Sequence, residues 1–353
     1  MTAVPETMQA AVLTGFGGPE VLEVRAVPVP RPGASEVLVR VGAAALNNTD
    51  IWTRRGAYGL PGDPDALAGW RGPVDFPRIQ GGDIAGEVVA VGDGVDPARV
   101  GRRVLVDPAF YDGPGPDASP VGLLGSEADG GFAQYALVAD GRAHDVTDSP
   151  LSDEELAALP VAYGTAAGML ARGGIGEGET VFVTGASGGV GLAAVQLATA
   201  RGARVVALTA PAKEQAVREA GAAAVVHRGP DASVVAAAVR EAAGGPLDAV
   251  VDVVGGALLP ALLEHVRDGG RWVVAGAIAG ARVDLDLRRL YLHNVSLVGS
   301  SMHTPAHFDE LVADARAGRV RPLVSATHPL AAIHTAQEEF AAAERVGKIV
   351  VRP

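Results

Sequence analysis

The hydrophobic pattern changes character partway along the chain. Before about residue 150, apolar residues come in short β-branched runs broken by Gly and Pro: 10–13, 22–27, 37–42, 84–91 and 103–106. Runs of that length bounded by turn residues predict strands. Gly92-Asp93-Gly94 and Val95-Asp96-Pro97 supply turn signals between and after them. Two stretches, 58–77 and 107–131, are rich in Gly, Pro and Asp and predict surface loops of the kind that cover sites. After Leu151 the texture shifts. Ser152 followed by Asp153-Glu154-Glu155 predicts a helix start, with a capping hydroxyl and acids facing the positive end of the helix. Strands at 180–184, 204–209, 224–226, 249–253 and 272–275 then alternate with helices at 190–201, 212–220, 232–243 and 257–266. These strands are continuous apolar runs, as expected where both faces are covered. The alternation predicts a doubly wound parallel sheet, a Rossmann-type α/β domain. Beyond 299 the pattern gives one helix at 308–317, turns, and a last strand at 347–351.

Length and composition narrow this picture. A chain of 353 residues suits two domains of ordinary size. Apolar residues make up 48% and charged residues 20%, a globular and not a disordered balance. The formal net charge is −12, and an acidic surface repels phosphate backbones and anionic lipid, so nucleic-acid and membrane partners are not expected. There is no cysteine, which removes disulfides, thiol nucleophiles, iron–sulfur clusters and cysteine-ligated zinc. The N-terminus has no basic start and no apolar core of a secretory signal, and the most apolar stretch, 156–171, is broken by Pro160, Gly164 and Gly168. A cytoplasmic enzyme is the expectation. Basic charge is almost all arginine; Lys213 and Lys348 are the only lysines.

The most informative segment is Val181-Phe182-Val183-Thr184-Gly185-Ala186-Ser187-Gly188-Gly189-Val190-Gly191. It reads as strand, tight glycine turn, helix. Ala186, Gly188 and Gly191 fill the three slots of G-x-G-x-x-G, with Ala in the first. The turn must be tight, the backbone must approach a pyrophosphate, and the helix must pack closely on the strand. The N–H groups of the turn, through Ser187, Gly189 and Val190, then face the phosphates. The next strand ends Ala207-Leu208-Thr209-Ala210-Pro211-Ala212-Lys213, with no carboxylate to take a ribose 2′-hydroxyl. It offers a hydroxyl, Thr209, and a cation, Lys213, and Arg228 follows the strand after. Cations there suit a 2′-phosphate, so NADP(H) is favoured over NAD(H); as ordinary solvated surface charges they would carry no such meaning.

With these motifs in hand, the chain resembles the medium-chain dehydrogenase/reductase superfamily, and within it the zinc-free quinone oxidoreductase (zeta-crystallin-like) branch. The resemblance runs from about residue 8 to 351. It is carried by Met8-Gln9-Ala10-Ala11-Val12 with Gly17-Gly18-Pro19-Glu20-Val21-Leu22, by Gln80-Gly81-Gly82-Asp83-Ile84-Ala85-Gly86-Glu87-Val88 with Val91-Gly92, by the glycine turn, by Asp252-Val253-Val254-Gly255-Gly256, and by Val346-Gly347-Lys348-Ile349-Val350. The implied architecture is a GroES-like β-rich catalytic domain built from 1–150 and 300–353, around an inserted Rossmann domain at 151–299. The resemblance also implies a homodimer, paired through the edge strands within 273–298.

Zinc-dependent relatives place Cys, His and Cys at a catalytic metal; aligned here, those slots hold Asn47, Gly82 and Val161, which offer no such ligand set. The four-cysteine structural lobe is replaced by the 107–131 loop. His227, His293, His303 and His307 show no paired spacing, and Pro305 interrupts the last two. No metal is expected. Without a Lewis acid a simple alcohol is hard to ionise, and hydride delivery to an already polarised acceptor, a quinone or an α,β-unsaturated carbonyl, is the easier reaction. The resemblance implies that Asn47 orients cofactor or substrate, Asp50 braces the loop, and Tyr58 donates a hydrogen bond or proton to the substrate oxygen. Asn47 and Asp50 could equally satisfy turn backbone, and Tyr58 could pack. It also implies cofactor contacts at Thr165, Val254, Ala275-Gly276 and Lys348, the last with a structural salt bridge as the alternative. Trp52 stands where many relatives carry tyrosine, and an extra loop at 60–74 contains Trp70. Two other functional readings stay open: an NADP-dependent alcohol or ketone dehydrogenase lacking zinc, and a cofactor-binding protein without turnover.

Overall fold

The computed structural model describes residues 4–342 and 344–353. The chain divides into two compact units, 1–161 with 304–353, and 162–303. The first unit thus keeps 151–161 and the second keeps 300–303, against the boundaries at 150/151 and 299/300 expected from the sequence. The reason is visible at the Ser152 helix start. Its hydroxyl accepts from the Glu155 N–H while Glu155 accepts from the Ser152 N–H, a capping box. The short helix it opens contributes the buried Leu156 and Ala157 to the first unit.

In chain order, the first unit carries strands β1 (Thr7–Leu13), β2 (Leu22–Pro28) and β3 (Glu36–Ala45), helix α1 (Asn48–Arg55), then β4 (Arg78–Ile79), β5 (Asp83–Val91), β6 (Arg103–Val106), β7 (Ala109–Tyr111), β8 (Pro120–Leu123), β9 (Tyr135–Ala139), β10 (Ala143–Asp145) and helix α2 (Asp153–Ala157). Helix α3 (Pro160–Arg172) leads to β11 (Thr180–Val183), α4 (Gly189–Ala200), β12 (Arg204–Thr209), α5 (Glu214–Glu219), β13 (Ala224–His227), α6 (Ala232–Ala243), β14 (Leu247–Asp252), α7 (Leu258–Leu262), β15 (Val266–Val274), α8 (Arg288–Tyr291) and β16 (Ser296–Gly299). The chain ends with α9 (Pro305–Arg316), β17 (Val324–Pro329), α10 (Ile333–Ala342) and β18 (Lys348–Arg352). No described helix is long and apolar enough to cross a membrane.

The first unit is built on a sheet ordered β10-β6-β5-β3-β18-β17, with β9 also paired to β3, beside a smaller sheet β2-β1-β4. One core runs through Val37, Val39, Ile84, Val104, Phe132, Ile333, Phe340 and Ile349. The strand β18 therefore lies inside the sheet, between β3 and β17. The 107–131 segment, expected as an irregular loop, contains the paired strands β7 and β8; short Gly- and Pro-flanked runs of three or four residues are too brief to leave a period. β17 and α10 fall where only turns were expected. β17 alternates half-buried and exposed positions along Val-Ser-Ala-Thr-His-Pro, so it has no apolar run, and α10 buries only Ile333, Ala336, Gln337 and Phe340.

The second unit is a six-stranded parallel sheet ordered β13-β12-β11-β14-β15-β16. This is the doubly wound arrangement that the strand–helix alternation predicts. The helix expected at 257–266 is shorter, α7 followed by a single 3₁₀ turn at Leu263–His265, because the chain enters β15 at Val266. At the carboxyl ends of the central strands, one carboxylate ties three elements together. Asp252 accepts from the Thr184 hydroxyl at 2.7 Å, from the N–H groups of Val254 and Gly255 at 2.9 and 3.0 Å, and from the Trp272 indole at 3.0 Å. Asp252 and Trp272 are both buried. Replacing Trp272 with Phe removes one donor and leaves a small void. We expect W272F to lower stability by about 2–4 kcal/mol, read as a drop in the urea midpoint without a change of slope.

Candidate functional site

In the first unit, the polar residues gather around Asp83, the first residue of β5 and fully buried. Its Oδ2 accepts from the Asn47 amide at 2.9 Å and from the Lys348 ammonium at 2.9 Å, while Oδ1 accepts from the Val161 N–H at 2.7 Å. Lys348 also donates to Asn47 Oδ1 at 2.5 Å. The second amide hydrogen of Asn47 goes to the Ala45 carbonyl at 3.3 Å. A side chain built at Gly82 would sit 3.6 Å from Val161 Cγ2. The three positions aligned with the metal slots thus come together, and a lysine ammonium stands among them.

Helix α1 grows out of this cluster. Asn47 is its N-cap, and the Asp50 carboxylate closes back on the Asn47 N–H at 2.7 Å. Gly56 ends the helix at a φ of 62°, where an added side chain would strike Leu67 at 2.9 Å. Asp50 is buried, and burial pushes its carboxyl up to about 7; the neighbouring Asp83 charge adds to the rise, while the Asn47 N–H, Lys348 and the Gly81 N–H oppose it. Tyr58 follows the helix, its ring 5.4 Å from that of Trp52. Burial raises its phenol well above the ordinary range, the Asp50 and Glu127 charges add to this, and the Thr49 hydroxyl works the other way. The phenol keeps its proton throughout the neutral range. The 60–74 loop is tied down, since the Trp70 N–H donates to Ser126 Oγ at 3.0 Å and the Arg71 N–H to Glu127 at 2.8 Å.

In the second unit the glycine turn links β11 to α4. Gly185 holds a φ of 58°, so the left-handed residue of the turn stands one position ahead of the slot filled by Ala186. Ala186 is buried and its N–H donates to the Leu208 carbonyl. A Cβ at Gly191 would lie 2.2 Å from the Gly185 carbonyl, so only glycine lets the helix sit this close to the turn. Gly188 is the N-cap, and the first-turn N–H groups of Gly189, Val190 and Gly191 have no carbonyl four residues back within the helix. Ser187 lies between these glycines. At the end of β12, the Arg228 N–H donates to the Thr209 carbonyl and the Lys213 N–H to the Ala210 carbonyl. Thr209, Lys213 and Arg228 are therefore neighbours. Glu214, the carboxylate next to Lys213 in sequence, is engaged with Arg218 and His227, each at 2.7 Å. Val254 donates to Asp252, the Ala275 N–H binds the Asp252 carbonyl, and a Cβ at Gly276 would lie 2.6 Å from the Val253 carbonyl. Thr165 is buried on α3, two residues beyond Tyr163, whose hydroxyl donates to Gln196 of α4 at 2.8 Å.

Two residues singled out in the sequence are joined in one network, and for Lys348 the arrangement is the salt bridge given as its alternative. The Lys348 ammonium is spent on Asp83 and Asn47, and the Asn47 amide is spent within the same cluster. Asp83, quoted in a signature but given no role, is the residue that collects them. Its signal was an acid inside an otherwise apolar and glycine-rich strand start. Glu127, which holds Ser126 and Arg71, was hidden in a loop without period.

Residues 33–148 match the alcohol dehydrogenase GroES-like domain, and residues 189–316 match the zinc-binding dehydrogenase domain. The chain is 30% identical to the acryloyl-coenzyme A reductase of Metallosphaera sedula, over 98% of this chain and 99% of that one. It is 29% identical to the quinone oxidoreductase of Rattus norvegicus, over 99% of each chain. Among solved structures, a protein from Sinorhizobium meliloti 1021, provisionally named an alcohol dehydrogenase, is 48% identical with a TM-score of 0.95, covering 100% of this chain and 98% of that one. A cobalt- and zinc-bound alcohol dehydrogenase from Pyrobaculum aerophilum is 32% identical with a TM-score of 0.84, over 98% and 100%. A 2-octenoyl-CoA carboxylase reductase solved with NADP and 2-octenoyl-CoA is 28% identical with a TM-score of 0.86, over 99% and 88%. The chain belongs to the medium-chain dehydrogenase/reductase superfamily, and it is an oxidoreductase of that type.

The Asp50 carboxyl carries a signed prediction. Its ordinary value is near 3.9 in an unfolded chain, and burial raises it to about 7 in the folded one. The folded state therefore holds the proton more tightly, and this contribution to stability is complete below about pH 4 and is lost as the pH rises toward 7. D50N lacks that dependence. Urea unfolding of both proteins from pH 4 to 8 should show wild type losing stability relative to D50N across that interval and running parallel above it.

Proposed function

We propose that the protein is an NADPH-dependent, metal-free reductase that delivers hydride to a quinone or to the β-carbon of an α,β-unsaturated carbonyl. The observation that carries this reading is the cluster at Asn47, Gly82 and Val161. Those positions offer an amide, a hydrogen and an isopropyl group where zinc-dependent relatives have thiolates and imidazole, and an ammonium lies among them. Among the described residues no group of three or more His, Cys, Asp and Glu could hold a metal ion. The donor set does not fit zinc, and no step here runs through one. The named activities of relatives that reduce quinones and acryloyl-CoA support the acceptor class.

NADPH supplies the hydride when bound. The first-turn N–H groups of α4 and the close approach at Gly188 and Gly191 would hold its pyrophosphate, and Lys213 and Arg228 its 2′-phosphate, with Thr209 as a hydroxyl partner. Thr165, Val254, Ala275 and Gly276 would complete the cofactor contacts. Tyr58 would donate a hydrogen bond, and then a proton, to the acceptor oxygen as negative charge develops there. Asp50 braces the turn that carries Asn47. Trp52 and the Trp70 loop would wall the acceptor with apolar surface.

A homodimer is part of the same reading. β16 is an outermost strand, and Leu297 within it and Leu287, Tyr291 and Leu292 shortly before it in sequence are 42–65% exposed. An unpaired edge next to large exposed apolar side chains is the kind of surface a second copy covers. Wild type should run at twice 35.6 kDa in solution, and Leu297→Glu should shift it toward the monomer. A wild-type mass near that of one chain would refute the dimer.

The activity is tested with NADPH and NADH against a panel of quinones, enones and enoyl thioesters, with and without a chelator. Chelator-insensitive turnover that prefers NADPH is expected. Y58F should lower kcat by about a hundredfold, and K213A/R228A should weaken NADPH, not NADH, by about tenfold or more. Alcohol-dependent reduction of NADP, or activity lost on chelation and restored by zinc, would overturn the proposal. Tight NADPH binding without turnover across the panel would point to the non-catalytic reading instead.

A further inference from the structure

We propose that Lys348 is the positioning residue of this site: one ammonium, shared between Asp83 and Asn47, fixes the orientation of the Asn47 amide and supplies a positive charge beside Asp50. The residue is 3% exposed, so its charge is not solvated and must be met by protein. Asp83 meets it as an ion pair, with side-chain exposures of 4% and 0%. A buried lysine is costly unless it is paired and hydrogen-bonded, and both conditions hold here.

The consequence for Asn47 is geometric. An amide is nearly symmetrical in shape, so its orientation is set by what its two ends face. Here the oxygen faces the Lys348 ammonium and the nitrogen faces Asp83 Oδ2 and the Ala45 carbonyl. A flipped amide would turn its nitrogen onto the ammonium and its oxygen onto a carboxylate, so only one orientation survives. Asn47 in turn presents its N–H to Asp50, which links the β18 ammonium to the start of α1 in two steps.

The consequence for Asp50 is electrostatic. The charged and polar groups that bear on its carboxylate are Asp83 from β5, Lys348 from β18, the N–H groups of Asn47 and Gly81, and the Tyr58 phenol beyond the helix. Asp83 alone would oppose ionisation of Asp50, and the ammonium offsets that repulsion. With Lys348 in place Asp50 can change its charge near neutral pH, where the proposed reduction needs a proton delivered. The link to turnover rests on the proposed reduction; the effect on Asn47 and Asp50 does not.

The test exploits the two-lysine composition. Lysine-specific ¹⁵N labelling gives two ammonium signals, one from half-buried Lys213 and one from Lys348. In the wild-type protein one signal should exchange slowly with water and vanish in K348R. If both exchange as fast as a solvated lysine, the proposal is wrong, and this measurement stands even if variants fail to fold. In K348M the ¹³C titration midpoint of the Asp50 carboxyl should rise by about one pH unit or more, whereas K348R, which keeps the charge, should leave it close to wild type. An unmoved midpoint in folded K348M overturns the proposal. Where the acceptor assay succeeds, K348M should lower kcat about tenfold, shift its pH profile in the same direction as the carboxyl, and leave the NADPH KM unchanged. Failure of every acceptor with intact NMR signatures would count against the reductase reading and not against the role of Lys348.

Discussion

A carboxylate with no contact with water must find all its partners in the protein, and in the first unit Asp83 draws those partners from far along the chain. The amide comes from position 47, a backbone N–H from 161 and an ammonium from 348. Each is needed. Without the ammonium the cluster holds an uncompensated charge, and without the amide one lone pair of a buried ion is left unmet. Strand β5, the cap of α1, the start of α3 and strand β18 are held in register by this one group as much as by the sheet. The same device recurs in the second unit, where Asp252 collects a hydroxyl, two N–H groups and an indole at the ends of β11, β14 and β15. In each unit a single buried acid fixes the end of the sheet beside the candidate site residues.

Much of the fold was legible from local pattern, because the second unit repeats one rule. Strands buried on both faces leave unbroken apolar runs, and helices between them carry their own start and stop signals. The glycine turn was legible for a similar reason, since glycine there is required by contacts as short as the 2.2 Å approach at Gly191. What escaped was whatever depends on pairing between distant segments. β17 has no apolar run because none of its positions is fully buried and alternate ones are exposed, and α10 buries only four residues against the sheet formed by β17 and β18.

The candidate residues could be singled out as types and not as a network. Motif positions point to Asn47, Asp50 and Tyr58, yet nothing within a few residues of Asn47 says that its amide is already engaged. The partner that engages it, Lys348, lies 301 positions away. Asp83 was written in the sequence as part of a signature, but its burial is a property of β3, β5 and β18 together. Charge balance in an interior is a three-dimensional sum, and a one-dimensional pattern records only its terms.

The position of β18 has a consequence for how the molecule comes into being. It lies between β3 and β17 and delivers the ammonium that neutralises Asp83, yet in chain order it follows the whole of the second unit. A ribosome presents β3, β5 and the Asp83 carboxylate long before their counter-ion exists. During that interval one edge of β3 is covered by β9 over Glu36–Arg40 but unpaired at Ala44 and Ala45, where β18 will bind, and the acid must be solvated by water. The second unit has every strand of its sheet within one continuous stretch and can close first. The first unit closes only when β18 arrives, so deleting residues 348–352 would strip the sheet of an interior strand and the buried acid of its cation at once.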